Sequence, residues 1–392
     1  MVSSDLLRKE KKKKKKKKKN NLFPDSLLKI FEGYEIKKKV GAIVSDNAPN
    51  AISGSQKAAS ALASETGHPV FTLRCLPHIL HLVASEGLDK VTQPIVRLKN
   101  LVSHLRRSTT ALAKLEKFCV ANDEPFHKPK TDVPTRWNST WAMINSMTGM
   151  RVSLKAMQIV EKEVPTEDDW ERLTKLAEIL KPFEDATKIL SKANTCTLSR
   201  AHDLMITLTE FLKKHRTCKD LGVEAMLEKF EKYATDVGNQ SLLPSFLDPR
   251  YVTHMPAARF KAAQNLMKQR LVRADDKEEE KKKEDKSIFE LAWEDNFYAS
   301  DATKGYPELA KYVGATKIDP SGDPLLWWKE NAWRFPTIAA IAREQLAMLA
   351  SSVPSEEAFS AAAQVITDRR NSLGPEKVRA LMVTRAWLRF NK

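Results

Sequence analysis

Apolar positions along the chain fall into two short β-branched runs near its start and into helical spacing over most of the remainder. Val40 to Val44 (VGAIV) ends in Ser45-Asp46-Asn47, which predicts a buried strand stopped by turn formers. Residues 50–65, rich in Ala and Ser, predict a helix closed by Gly67-His68-Pro69, and a second apolar run, Val70 to Leu73, comes next. Cys75-Leu76-Pro77-His78 then leads into a helix carrying Ile79, Leu82 and Val83. Strand, helix, strand, helix implies a parallel pair with a crossover. Ahead of this unit, Leu27, Leu28, Ile30 and Phe31 predict a short helix.

From Val91 to about Met267 the period is helical nearly throughout, without a fixed-length repeat. Leu98, Leu101, Val102 and Leu105 mark one apolar stripe, and Leu173, Leu176, Leu180 and Phe183 another. Arg273 to Lys286 (RADDKEEEKKKEDK) is charged with both signs, either an exposed linker or a solvated helix end, and is taken as a boundary. Beyond Asp323-Pro324 come helices carrying Ile338, Ile341, Ala342, Leu346 and Leu349, then Phe359, Ala362, Ala363 and Ile366, then Val378, Leu381 and Met382. Pro354 and Gly374 punctuate them. The expected class is α/β with α predominant, divided into segments 1–21, 22–90, 91–286 and 287–392.

Charge adds a partner to this picture. The net charge is +16, but nine positive charges lie in the run Lys11 to Lys19, so the remainder carries about +7. A self-repelling lysine block buries no apolar surface and predicts disorder over 1–21. It reads as a nuclear address, a phosphate-binding tail, or merely a solvated charge run. The overall balance points to a polyanionic partner, nucleic acid first. Cys75, Cys119, Cys196 and Cys218 form no zinc-finger spacing, which fits a reducing compartment. No stretch reaches the roughly 18 apolar residues of a membrane span, and Leu22 to Phe31, broken by Pro24, Asp25 and Lys29, is not a signal-peptide core. An intracellular, soluble protein with neither a membrane nor a small-molecule partner is expected.

Several motifs occur in a specific order: SDNAPN (Ser45 to Asn50), RCLPHILHL (Arg74 to Leu82), TRWNSTW (Thr135 to Trp141) and LDPRY (Leu247 to Tyr251). Pro307-Glu308-Leu309 with Tyr312, then DPLLWWKENAWRFPTIAAIAREQL (Asp323 to Leu346), SSVPSEEAFS (Ser351 to Ser360) and RRNSLGPEKVRALMVTRAWL (Arg369 to Leu388) complete the series. Over roughly residues 26–390 the chain resembles the hAT superfamily of DNA transposases, including its C-terminal dimerisation region. The resemblance implies an incomplete ribonuclease-H-like fold interrupted by a large all-helical insertion domain. It also implies a chemistry in which three carboxylates hold two divalent cations, Mg2+ or Mn2+, for DNA cleavage and strand transfer.

On that resemblance Asp46 and Glu356 take the places of the second and third catalytic carboxylates. Asp46 ends a strand, and Glu356 lies three residues before Phe359, on the helix face expected to pack on the sheet. Each also has an ordinary explanation, Asp46 as a turn former and Glu356 as a complement to a helix macrodipole. Cys75 and His78 match the family's CxxH element, making His78 a candidate DNA contact. Arg136 and Trp137 match its Arg-Trp pair, with the indole expected to stack on an unpaired base unless it is simply buried. Trp327, Trp328, Trp333, Phe335 and Trp387 are the aromatic anchors expected at a dimer surface, some of them core.

The first carboxylate should lie on an upstream strand, within roughly 25 residues of meander before the helix that precedes Asp46. Those positions are mostly lysine, and neither Asp5 nor Asp25 sits in a β-branched run. The usual zinc-finger module does not precede them, the strand ending at Asp46 is expected to show an apolar edge, and Glu357 stands where relatives carry arginine. The expectation is a nuclear, transposase-derived protein that is catalytically inactive, needs no cofactor in this form, forms a homodimer or higher oligomer and takes DNA as a further partner. Two alternatives stay open: an active Mg2+- or Mn2+-dependent transposase whose N-terminus lies upstream, and a non-catalytic nucleic-acid-binding module.

Overall fold

The computed structural model describes residues 23–133, 136–157, 164–285, 306–315, 318–366 and 372–390. The Lys11–Lys19 run, Asp5, Thr135, Lys286 and Arg369 to Asn371 lie outside the described residues. The described chain is predominantly helical. It divides into two compact units, one built from 1–195, 208–232 and 350–392, the other from 196–207 and 233–349.

The first unit opens with α1 (23–33) and the predicted β1-α2-β2-α3 series: β1 (Ala42–Ser45), α2 (Pro49–Thr66), β2 (Phe71–Arg74) and α3 (Leu76–Lys90). The strands pair in parallel, Ala42 opposite Phe71 through Ser45 opposite Arg74, so the crossover inferred from the sequence is the one observed. Gly67 closes α2 at φ 69°, a left-handed conformation that glycine adopts without a Cβ clash, and its N–H caps the Ala63 carbonyl at 3.0 Å. Leu27, Leu28 and Phe31 of α1 pack with Ile43 of β1 and Ala58, Ala59 and Leu62 of α2. Among the described residues β1 has β2 as its one strand partner.

α4 (Thr92–Arg107), α5 (Thr109–Ala121), α6 (Trp137–Thr148), α7 (Arg151–Ala156) and α8 (Glu167–Leu190) continue the unit. Both predicted stripes are interior: Leu98, Leu101, Val102 and Leu105 of α4, and Leu173, Leu176, Leu180 and Phe183 of α8, are buried. α8 starts from a capping box in which the Thr166 hydroxyl and the Asp169 carboxylate each accept from the other's backbone N–H. Of α9 (Ala201–Lys214) and α10 (Val223–Gln240), residues 208–214 and 223–232 belong to this unit and the rest to the second. The unit ends with α16 (Val353–Val365) and α17 (Pro375–Phe390).

The second unit holds α11 (Leu242–Leu247), α12 (Ala257–Asp285), α13 (Pro307–Gly314), α14 (Pro324–Asn331) and α15 (Pro336–Leu346). The charged stretch from Arg273 is helical backbone to Asp285. Its core gathers Phe246, Leu247, Met267, Leu309, Tyr312, Phe335, Ile338 and Leu346.

α16 departs from expectation. Phe359 is 76% exposed, Ile366 is exposed too, and Ala361 is the buried residue of this helix. Glu356 therefore does not share a sheet-packed face with Phe359. The reason is local: the α1 and α2 side chains pack on Ile43 of β1, whereas α16 is held at its first turn and by Arg385 of α17, which donates to the Ala361 carbonyl and to Gln364 Oε1.

Candidate functional site

The end of β1 and the start of α3 meet at Cys75. Its N–H donates to the Ser45 carbonyl at 2.8 Å, carrying the parallel ladder one residue past β2. Asn47 Nδ2 donates to the Cys75 carbonyl at 3.2 Å, and Arg74 Nη1 donates to Asn47 Oδ1 at 3.3 Å. The Ser-Asp-Asn turn is thus locked against the CxxH element. Half-buried Asp46 accepts the Ala48 N–H at 3.2 Å through Oδ1, the local turn bond that Asp favours after a strand.

The same cysteine receives the C-terminal part of the chain. Leu76 N–H donates to the Ala350 carbonyl at 2.9 Å, and Ser352 N–H reaches Cys75 Sγ at 3.5 Å. Ser352 Oγ then donates to Glu356 Oε1 at 2.8 Å, in the first turn of α16, where Glu356 is exposed. Asp46 and Glu356, far apart in sequence, are therefore both tied to one buried junction through residues 45–47, 75 and 352. His78 lies half-buried on α3, its ring 5.9 Å from that of His81. Burial first, and His78 second, push the His81 imidazole below its ordinary range.

Among the described residues no three His, Cys, Asp or Glu side chains converge in an arrangement that would hold a metal ion. Asp46 and Glu356 supply two carboxylates where a two-cation site of the expected kind takes three, so the described residues do not fit that group.

Arg136 is exposed immediately before α6, but Trp137 is only 4% exposed. This is the buried alternative of the two sequence readings: as the first residue of α6, Trp137 turns inward with Thr140, Trp141 and Ile144. A residue not singled out from the sequence, Asp132, holds the loop in front of it. Its carboxylate pairs with Lys99 Nζ at 2.6 Å and accepts from Thr140 Oγ1 at 2.5 Å and Ser139 Oγ at 3.2 Å. Burial pushes this carboxyl up, but Lys99 and the hydroxyls outweigh it and leave it below its ordinary range.

Three of the five aromatics expected at a dimer surface are core. Trp327, Trp328 and Phe335 are nearly inaccessible because they surround the buried Tyr312, whose ring lies 6.1, 5.3 and 5.9 Å from theirs. Tyr312 Oη donates to the Phe246 carbonyl at 2.7 Å and Trp328 Nε1 to the Leu247 carbonyl at 2.8 Å, which joins the WW segment to LDPRY. Within that motif buried Asp248 accepts Arg250 Nη2 at 2.6 Å and Ser199 Oγ at 2.6 Å. Trp333 and Trp387 remain exposed, at 80% and 64%.

A group of exposed apolar side chains lies on the C-terminal helices. Phe359 of α16 and Leu381, Val383, Trp387 and Leu388 of α17 are all exposed. On α17, Leu381 and Leu388 are seven apart and share one line, while Val383 and Trp387 are four apart and share another. Among its described side chains α17 has none fully buried.

Comparison with known proteins agrees with these features. A model of the hAT family C-terminal dimerisation region matches residues 308–388, and a model of the ZBED1 RNase-like helical domain matches residues 73–179. A Zea mays protein named as an AC transposase is 28% identical over 360 residues, covering 81% of this chain and 44% of its own length. The zinc finger BED domain-containing protein RICESLEEPER 3 of Oryza sativa subsp. japonica is 23% identical over 82% of this chain and 48% of its own length. Zinc finger BED domain-containing protein 4 of Homo sapiens is 23% identical over 74% of this chain and 27% of its own length. The chain spans about half the length, or less, of these curated relatives. Over most of its length the chain is similar to hAT-superfamily transposase-related proteins.

Proposed function

We propose that this chain is a self-associating, transposase-derived protein whose α16–α17 pair forms the contact with a second copy, and that it does not itself cleave DNA. One observation carries the reading: the last two helices lie within the match to a dimerisation region, yet Ala361 is their one fully buried side chain among those described. Helices of this length draw stability from burying an apolar face. Phe359 of α16 and, on two separate lines of α17, Leu381 with Leu388 and Val383 with Trp387 supply the exposed apolar surface here, and a second copy covers part of it. Sedimentation equilibrium of the full chain, from low to high micromolar concentration, is expected to show a reversible dimer or higher oligomer. A strict monomer throughout overturns the proposal.

The β1-α2-β2-α3 series is read as part of a ribonuclease-H-like core and the helices after it as an insertion, a reading supported by the parallel β-α-β unit and the ZBED1 RNase-like helical match. The zinc finger BED names of the relatives support DNA as a partner and the nucleus as location. A second reading, an active Mg2+- or Mn2+-dependent transposase completed by a further segment, draws on the convergence of Asp46 and Glu356 at the Cys75 junction. In that case these two carboxylates would hold the cations, which supply Lewis acidity to the reacting phosphate, and His78 with Arg136 would face the DNA. Strand-cleavage assays of the chain with either cation separate the readings. No product is expected, and a product that disappears in both Asp46→Asn and Glu356→Gln would establish the second.

A further inference from the structure

A basic ribbon runs beside α4 that neither the acidic junction nor the C-terminal helices account for. α4 carries Arg97, Lys99, Arg106 and Arg107 and has no acidic residue. The loop after α5 returns along it: Arg106 Nη1 donates to the Pro129 carbonyl at 2.8 Å, and Asp132 pairs with Lys99 at 2.6 Å. Lys99 and Arg106 are seven residues, roughly 10 Å, apart on the helix, so these two ties fix the direction of the loop. Lys128 and Lys130 flank Pro129 and are exposed, as are Arg106 and Arg107. Four cations are thereby gathered at the end of one helix and the loop tied to it.

The neighbouring acids do not neutralise them. Glu124 is spent on the Val152 and Ser153 N–H groups at 2.9 and 2.8 Å, Asp132 on Lys99, Thr140 and Ser139, and Asp123 lies at the far end of the loop. Val120 and Val133 at the two ends of the loop are exposed, but between them no large hydrophobic side chain is, whereas a protein-binding surface is built around an apolar centre. Arg106 commits one guanidinium nitrogen to Pro129, and the planar fork leaves further donors for an oxyanion. Arginines in the last turn also complement the helix dipole, but Lys128 and Lys130 belong to no helix and have no such use.

We propose that Arg106, Arg107, Lys128 and Lys130 form a binding surface for the phosphodiester backbone of a nucleic acid. It reads chiefly backbone charge, since no exposed Phe, Tyr, Trp, Asn or Gln side chain stands among these four, although the imidazoles of His104 and His127 are exposed beside them. The test uses the full chain and a Lys128→Gln/Lys130→Gln variant, titrated onto duplex DNA and onto duplex RNA of the same sequence by fluorescence anisotropy over a range of salt. The lysine tail is identical in both proteins and cancels in the comparison. The slope of log affinity against log salt is expected to shallow by about 0.9 for each phosphate left without its lysine, close to 2 for the pair, with DNA, and the arm showing the larger change names the source. A second measurement reads the residues directly: bound nucleic acid should slow acetylation of Lys128 and Lys130 severalfold. Unchanged slopes on both duplexes, or unprotected lysines, overturn the proposal, as does an equal loss of binding to polyglutamate.

Discussion

Replacing Trp387 by Ala tests the self-association surface at its largest exposed side chain on α17. A tryptophan offers on the order of 150–250 Å2 for burial, and 64% of Trp387 is exposed in a single chain. On the order of 100–150 Å2 is therefore left for a second copy to cover. At about 25 cal/mol per Å2 this is worth roughly 2.5–4 kcal/mol, the range of an interface hot spot, and corresponds to about two to three orders of magnitude in dissociation constant. The folded single chain should be indifferent, because the ring contributes little to its core. Sedimentation equilibrium gives the constant, and thermal unfolding in the monomeric range checks the fold. Trp333→Ala is the control: Trp333 is more exposed still but lies in the second unit, and its loss is expected to shift the constant by no more than about 0.5 kcal/mol. A Trp387→Ala chain that associates as tightly as the parent refutes the reasoning, and the reverse ranking of the two variants moves the surface to Trp333.

Tyr312→Phe removes the donor to the Phe246 carbonyl and leaves that carbonyl buried, at a cost of about 1–3 kcal/mol. Tyr312→Ala also empties the space between Trp328 and Phe335 and should cost about 3–5 kcal/mol, both read by urea unfolding. His202 is held down to about 4, first by burial and then by Arg259. The unfolded chain takes up this proton through about 6.5 and the folded chain does not, so stability should fall as pH drops from about 6.5 to about 4 and His202→Gln should flatten that interval. Asp132→Asn removes a carboxylate whose folded range is depressed, so its contribution is present above about 3.9 and is lost as pH falls through the folded value. Lys99 is 39% exposed and the ion pair is partly screened, so most of the expected loss, about 1–2 kcal/mol at neutral pH, comes from the Thr140 and Ser139 bonds. A change below about 0.5 kcal/mol would show that other contacts hold the loop.

How much of the fold could be read from the sequence depended on the range of the forces involved. The parallel pair and its crossover were legible because β-branched runs and turn formers act within a few residues, and the α4 and α8 stripes because a buried helix face repeats every turn. Trp137 and the Trp327-Trp328-Phe335 cluster could not be assigned inside or outside from their own positions. An indole serves a core or an interface equally, and the choice was made by Tyr312 in one case and by the inward face of α6 in the other. Asp132 was invisible because its meaning lies in Lys99, one helix away. Phe359 was expected inside because its spacing with Ala362 and Ala363 is that of a core face. The same spacing describes a face reserved for another chain, and periodicity does not distinguish them.

The dimerisation region is not a separable piece of this molecule. Its match runs from 308 to 388, but the chain passes from the second unit to the first between Leu349 and Ala350. Residues 308–349 bury Leu309, Tyr312 and Trp328 with Phe246 and Leu247, which lie well upstream of the region. Beyond 350, Ala350 accepts the Leu76 N–H, Ser352 reaches Cys75, and Arg379 lies over the Tyr34 ring at 5.5 Å. A fragment starting near residue 288 would leave each half without the upstream residues it packs on, and would expose Tyr312 and Trp328 along with Phe359 and Trp387. Its association would then report on unsatisfied core as much as on the native surface. The full chain is the object on which self-association has meaning, and the same wiring gives α16 a second consequence. The helix that carries Phe359 outward also carries Glu356 at the Ser352 junction, so covering the one face with a partner constrains the position of the other residue. A second copy bound at α16–α17 should therefore protect the Ser352 amide from hydrogen exchange along with the helix itself.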